Sequence, residues 1–322
     1  MKKKNGTSLR AALLIVLAGT LWGSMGVFVR TFSSYGFSAM QIASMRLTVS
    51  ALLFTVLMLC RDRRGFRIAA RDIPLFLGIG LGSVLFFTVC YFKAIGMMPL
   101  SIAAILLYTS PIWVTLMSVV FFREKLTLRR VLALLLAFGG CVLVSGLSRG
   151  GLTPTGLLVG LCAGIGYALY SILGTVALRR YEPLTVTAYS FIISSVGSWF
   201  FCRPAEILSL ASARSPLPFI LLVLTLSVVT AAAPYLCYTL GLKHTPASKA
   251  AILATVEPMV ATLLGVVVFR EQLSLSSALG IVLILSAIVL LNMRSKDSCG
   301  RTRGKIHFFP AGRLFRAVFC HI

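Results

Sequence analysis

Uncharged apolar runs of roughly twenty residues alternate with short, mostly basic connections along nearly the whole chain. A run of that length crosses about 30 Å of hydrocarbon as a helix rising about 1.5 Å per residue. The pattern predicts ten helices, over 9–29, 38–60, 73–96, 99–122, 128–147, 155–178, 183–203, 216–242, 246–269 and 275–293. Outer-membrane barrels are excluded, because their strands alternate with a period of two instead of staying apolar throughout. The expected fold is an all-α integral membrane protein.

Composition sharpens this. Of 322 residues 58% are hydrophobic and only 12% charged, about half the charged share of a soluble domain, which excludes a water-soluble enzyme. Lys and Arg number 31 against 8 acids, a net charge of +23. In a soluble protein that balance would suggest nucleic acid; here the cations sit between the apolar runs, where they orient helices, and no nucleic-acid partner is expected. With the N-terminus in the cytoplasm, 24 Lys and Arg fall inside and 5 outside, leaving Arg46 and Lys93 within helices. Both termini are therefore expected to be cytoplasmic. Basic Met1–Lys4 ahead of an apolar run is the pattern of a signal peptide, but the run over 9–29 has no clean cleavage site and reads as the first membrane helix, and the sequon at Asn5, in the basic tail, is not expected to be glycosylated. Eight cysteines without a CxxC pair and three scattered histidines provide no metal or haem ligand set, so no metal and no cofactor is expected. The glycines of 78–82 lack nucleotide-loop spacing, so no built-in ATPase is expected.

A shift of 147 residues lays the fourth and fifth helices over the ninth and tenth. Pro99-Leu-Ser101-Ile-Ala103-Ala104-Ile105-Leu106 meets Pro246-Ala-Ser248-Lys-Ala250-Ala251-Ile252-Leu253, and Pro111 meets Pro258. From Pro99 to Ser145, 20 of 47 positions are identical. Hydrophobicity alone aligns neither proline with proline nor Arg-Glu with Arg-Glu, so the chain is duplicated, dividing into 1–147, 148–293 and a basic cytoplasmic tail, 294–322. Five helices per copy is an odd number, so the copies have inverted topology, the recurrent plan of secondary transporters with a midplane site between the halves.

Leu21-Trp22-Gly23-Ser24, Arg46, Pro111, Arg123-Glu124-x-Leu126, Val256-Glu257-Pro258 and Arg270-Glu271-x-Leu273 resemble the drug/metabolite transporter superfamily, and within it the ten-helix EamA-type members, over about 9–293. The resemblance implies export of amino acids or other small metabolites across the bacterial inner membrane, with the third, fourth, eighth and ninth helices lining a cavity. An importer, or a flippase for a lipid or lipid-linked sugar, could use the same fold. No catalytic residue is assigned, because no His/Asp or metal cluster converges. A proton and a second copy of the chain stay open as partners beside the metabolite and the bilayer.

Glu257 is the carboxylate deep inside a predicted helix, where a charge costs about 2.5–3.5 kcal/mol. It must face a cavity, hold a cation or carry a proton, which suits a substrate amine or a coupling proton; a structural carboxylate locked to a neighbouring helix is the alternative. Its first-half equivalent is Ser110. Arg46 could neutralise Glu257, receive a substrate carboxylate or bond unwound carbonyls; Lys93 can snorkel to the interface. Pro111 and Pro258 free the carbonyls of Leu107 and Ala254 and mark candidate helix breaks at matched positions, whereas Pro234 has no proline equivalent and its kink reads as local. Trp22, Tyr91, Tyr108, Tyr235 and Tyr238, with Tyr167 and Tyr170, are the aromatic candidates, each weighed against simple packing. Glycines 19/23, 78/82 and 160/164 have the spacing for close helix approach. Glu124 and Glu271 precede the fifth and tenth helices and suit their positive N-termini and adjacent arginines. The tail reads as an interfacial helix or a disordered segment.

Overall fold

The computed structural model describes residues 2–61, 63–146 and 153–293. Among the described residues ten helices are long and apolar enough to cross a membrane: α1 Leu9–Ser34, α2 Ala39–Arg61, α3 Ala70–Met97, α4 Leu100–Phe122, α5 Leu128–Ser145, α6 Pro154–Ala177, α7 Pro183–Phe201, α8 Pro216–Leu242, α9 Ala247–Phe269 and α10 Leu275–Asn292. Two differ notably from expectation. The first runs on past Val29, so Arg30 belongs to its last turns, and α3 begins at Ala70 through a short 3-10 turn, Ala70–Asp72. The expected 147/148 boundary and the tail lie outside the described residues.

The repeat is visible in how the helices touch. α1 packs on α8 and α9; α6, its counterpart, packs on α3 and α4. α2 meets α7, α4 meets α9 and α5 meets α10, each helix against its own equivalent. Thr48 and Ser195, 147 residues apart, share a 2.9 Å hydroxyl contact where α2 meets α7. The repeats are thus interlocked, each completing the packing of the other. Arg129 at the start of α5 donates to the Leu290 carbonyl at 2.5 Å and to that of Met293, at the end of α10. Here "terminal end" denotes the end of the bundle where α1 begins and α10 stops, and "distal end" the other.

Glycine permits the closest crossings. A Cβ on Gly19 would come within 2.8 Å of the Ala254 carbonyl of α9, and one on Gly164 within 2.7 Å of the Leu106 carbonyl of α4. Gly23 and Gly160 press against the same two helices, so the 19/23 and 160/164 pairs are equivalent seams. The 78/82 spacing is not a seam: nothing lies within 4 Å of a Cβ at Gly82, and it is Gly80 that abuts Ile193 of α7. Leu52, Leu135, Leu158, Val267 and Leu275 are exposed around the outside, as a lipid-facing surface requires.

The duplicated sequence bends the backbone in duplicate. α4 is interrupted between Leu107 and Ser110, and α9 at Thr255, just before Pro111 and Pro258. α3 contains a widened π turn, Gly80–Leu85, and α8 has one at Val228–Ala232. Pro234 follows the second and Phe87 the first, so the local kink expected from Pro234 is half of a matched pair and needs no proline. α4 and α9 end at Arg123 and Arg270, with left-handed φ of 52° and 54°. That conformation costs a non-glycine residue about 1–2 kcal/mol. It turns the chain so that Glu124 and Glu271 donate N–H to Ser118 and Gly265 carbonyls, both at 3.2 Å. Among the described residues the ion pair of Glu271 is not with the adjacent Arg270. Glu124 takes Arg130 at 3.0 Å and the Ser248 hydroxyl of the other repeat; Glu271 takes Arg30 of α1 at 2.6 Å. Each ties one repeat to the other.

Candidate functional site

Between the repeats lies a cavity of about 280 Å³ reaching from Glu257 to the last turn of α3 and the first of α4, at Ile95 and Leu100. Every broken or widened helix contributes. α9 is interrupted at Thr255, which places Glu257 in the first turn of its second segment, half-buried and lining the cavity. The break in α4 presents Tyr108, the π turn in α3 precedes Phe87 and Tyr91, and that in α8 precedes Tyr235. Gly23 and Gly26 of α1 leave room beside Trp22 and Met25.

The polar groups are few. The Tyr167 hydroxyl donates to Glu257 Oε2 over a long 3.5 Å, the one hydrogen bond to this carboxylate among the described residues. Arg46, 5% exposed, donates through Nη1 to Met25 Sδ at 2.9 Å and to the Thr230 carbonyl at 3.4 Å. Thr230 belongs to the π turn of α8, so Arg46 does bond an unwound carbonyl. It does not form an ion pair with Glu257, and its buried Nε has no hydrogen-bond partner among the described residues. Such a donor retains its desolvation cost, about 1–3 kcal/mol or more when charged, until an acceptor arrives. A guanidinium and a carboxyl group thus share one cavity without a direct ion pair between them.

Aromatic rings form the floor and walls. Trp22 meets Tyr235 edge-on at 5.1 Å, and Phe87 meets Tyr167 edge-on at 5.3 Å and stacks on Tyr91 at 5.9 Å. Below them the bundle is sealed towards the terminal end. The Tyr238 and Ser171 hydroxyls meet at 2.7 Å, and those of Tyr170 and Thr239 at 2.8 Å, all buried. The structure therefore brings Trp22, Arg46, Tyr91, Tyr108, Tyr235 and Glu257 to one cavity. Tyr238 lies in the seal beneath it, Ser110 is buried off the cavity and Lys93 is exposed outside it. Pro111 and Pro258 shape their helices without lining it. Phe87, Thr88, Phe92 and Met25 were not singled out from sequence. Phe87 and Ile95 lie four residues either side of Tyr91, so helical spacing could have found them.

A membrane bundle of two interlocked, inverted repeats, sealed at one end and hollow towards the other, is an architecture that recurs among transporters. The chain belongs to the EamA-like transporter family, whose model matches it twice, over residues 9–146 and 154–293; the family places it in the drug/metabolite transporter superfamily. It is similar to an uncharacterized transporter of Archaeoglobus fulgidus, 27% identical over 281 residues, spanning 87% of this chain and 97% of that one. It is also similar to the uncharacterized transporter YvbV of Bacillus subtilis, 24% identical over 297 residues, 89% and 93% of the two chains. A protein crystal structure superposes with a TM-score of 0.73 at 21% identity, covering 87% of this chain and 95% of the other, a likeness of fold.

Proposed function

We propose that this transporter exports a small zwitterionic amphipath, an amino acid or a close relative, from the cytoplasm by alternating access. The observation that carries this reading is the pairing of Glu257 and Arg46 in one aromatic cavity without an ion pair between them. A substrate ammonium placed on Glu257 and a carboxylate on the free Arg46 Nε would satisfy both, and the surrounding rings suit an apolar body. In this proposal the terminal end faces the cytoplasm, consistent with the Lys and Arg concentrated there, and the membrane is the bacterial inner membrane. The structure then corresponds to the outward-open state, and opening towards the cytoplasm requires parting the Tyr170–Thr239 and Ser171–Tyr238 contacts. A proton that takes the place of the amine on Glu257 would drive its release.

The test compares culture-medium metabolites from cells expressing wild type, Glu257→Gln or empty vector. A zwitterionic solute enriched outside only with wild type is the expected result. Enrichment with both proteins would keep the exporter and remove Glu257 from its mechanism. Depletion of a solute from the medium would make the protein an importer, and exchange of labelled lipid between leaflets a flippase.

A further inference from the structure

A second concavity, of about 570 Å³, lies at the terminal end among the last turn of α2, the α6–α7 connection and the last turns of α8. It shares no lining residue with the central cavity. Part of its lining is cationic, from Arg61, Arg67 and Arg180, and part apolar, from Leu57, Leu236 and Leu240. Leu57 and Leu240 are exposed, so the apolar part continues into the lipid-facing surface. Helix orientation explains why cations collect at this end. It does not explain why they converge on a groove.

The groove is built rather than incidental. The Tyr189 hydroxyl donates to the Phe66 carbonyl at 2.9 Å, and the Tyr181 hydroxyl accepts from Ala69 N–H at 3.0 Å. The short segment carrying Arg67 is thereby pinned on both sides. Burial, with the Asp72 carboxylate nearby, pushes the Tyr181 phenol up, so it keeps the proton that it donates to Asp72 at 2.7 Å. Asp72 also takes Arg180 at 2.9 Å, and Glu182 takes Lys243 at 2.7 Å. These acids are engaged, whereas Arg61, Arg67 and the Thr185 hydroxyl have no hydrogen-bond or ion-pair partner among the described residues. In sequence, segments 61–72 and 179–182 together with Lys243 carry eight Lys and Arg against three acids, an excess of cations facing the headgroup region.

We propose that this groove binds the headgroup phosphate of an anionic phospholipid from the leaflet at the terminal end. Arg61 and Arg67 hold the phosphate, Thr185 supplies a further donor, and an acyl chain runs along Leu57 and Leu240. Basic pockets between helix ends on the cytoplasmic side are suited to such headgroups. A free phosphate ion would use the cations and leave the lipid-facing apolar part without an occupant. The inference does not depend on what the central cavity carries.

The full-length protein, purified in detergent, is titrated with phosphatidylglycerol or phosphatidylcholine, and bound lipid is read by native mass spectrometry. Wild type should retain phosphatidylglycerol over phosphatidylcholine. The double variant Arg61→Ala/Arg67→Ala should bind it roughly thirtyfold more weakly, at about fivefold per cation near an anionic lipid surface. Lys125→Ala, which removes an exposed charge outside the groove, should leave binding unchanged. Arg67→Glu, a single change at an exposed position, should abolish the preference and serves if the double variant does not fold. Equal retention of both lipids, equal loss in Lys125→Ala, or unchanged binding in the groove variants would overturn the proposal. Displacement of the lipid by inorganic phosphate at an equal concentration of phosphate would reassign the groove to a soluble anion.

Discussion

Arg46 and Glu257 are single side chains whose environments define what the cavity can hold. In the proposed function, the unpartnered Arg46 Nε and the weakly bonded Glu257 carboxylate are satisfied by a ligand with one acceptor and one cationic donor. Lysine at position 46 would keep the charge and lose the planar fork that reaches both Thr230 and a ligand. Arg46→Lys should therefore raise the apparent KM for the transported solute by about tenfold or more, the worth of one charge-assisted hydrogen bond, while the protein still assembles in the membrane. An unchanged KM in vesicle uptake assays would remove Arg46 from substrate contact. If Glu257 alternates between amine and proton, transport by wild type should vary with pH, with release favoured as the medium acidifies. Glu257→Gln cannot exchange a proton, and its residual transport should be flat over the same range; a retained pH profile would move the proton elsewhere.

Helix seams and breaks make these positions possible. Neighbouring glycines in α5 separate a packing role from mere tolerance. A Cβ on Gly140 would lie 2.7 Å from the Gly280 carbonyl of α10, whereas one on Gly139 meets nothing within 4 Å. Gly140→Ala should destabilise by about 1–3 kcal/mol through overpacking. Gly139→Ala should be neutral or stabilising by up to about 1 kcal/mol, from the gain in helix propensity. Thermal unfolding in detergent separates the two, and similar shifts for both would refute the α5–α10 crossing. The seams at Gly19/Gly23 and Gly160/Gly164 were legible as four-residue spacings. The π turns were not, because no residue type marks a widened turn: α8 has Pro234 just beyond its own, α3 has Phe87 in that place, and both widen.

At the scale of the whole molecule, equivalent residues in the two repeats occupy unequal environments. Leu100 at the cavity's distal limit is 58% exposed, while its counterpart Ala247 at the terminal end is 0% exposed. Ile95 and Phe92 line the cavity, while their counterparts Leu242 and Thr239 are buried. In the alternating access proposed above, two related halves offer two arrangements of similar energy, and the second follows from the one seen by exchanging these environments. In a chain with its native cysteines replaced, Leu100→Cys should react with an impermeant maleimide and Ala247→Cys should be protected. Conditions that favour the opposite state should reverse the order, and labelling that rises or falls together at both sites would contradict alternating access. Ten spans, the 147-residue repeat, its inversion, the family and Glu257 as an intramembrane acid were all legible in one dimension, because run length, charge placement and repeated Pro and Arg-Glu are properties of order along the chain. Which residues share the cavity was decided only in three dimensions. Helices apolar on every side carry almost no signal of which face turns inward. Tyr91 and Tyr238 are equivalent in sequence, yet one lines the cavity and the other seals its floor, because two related repeats pack in opposite senses within a single state.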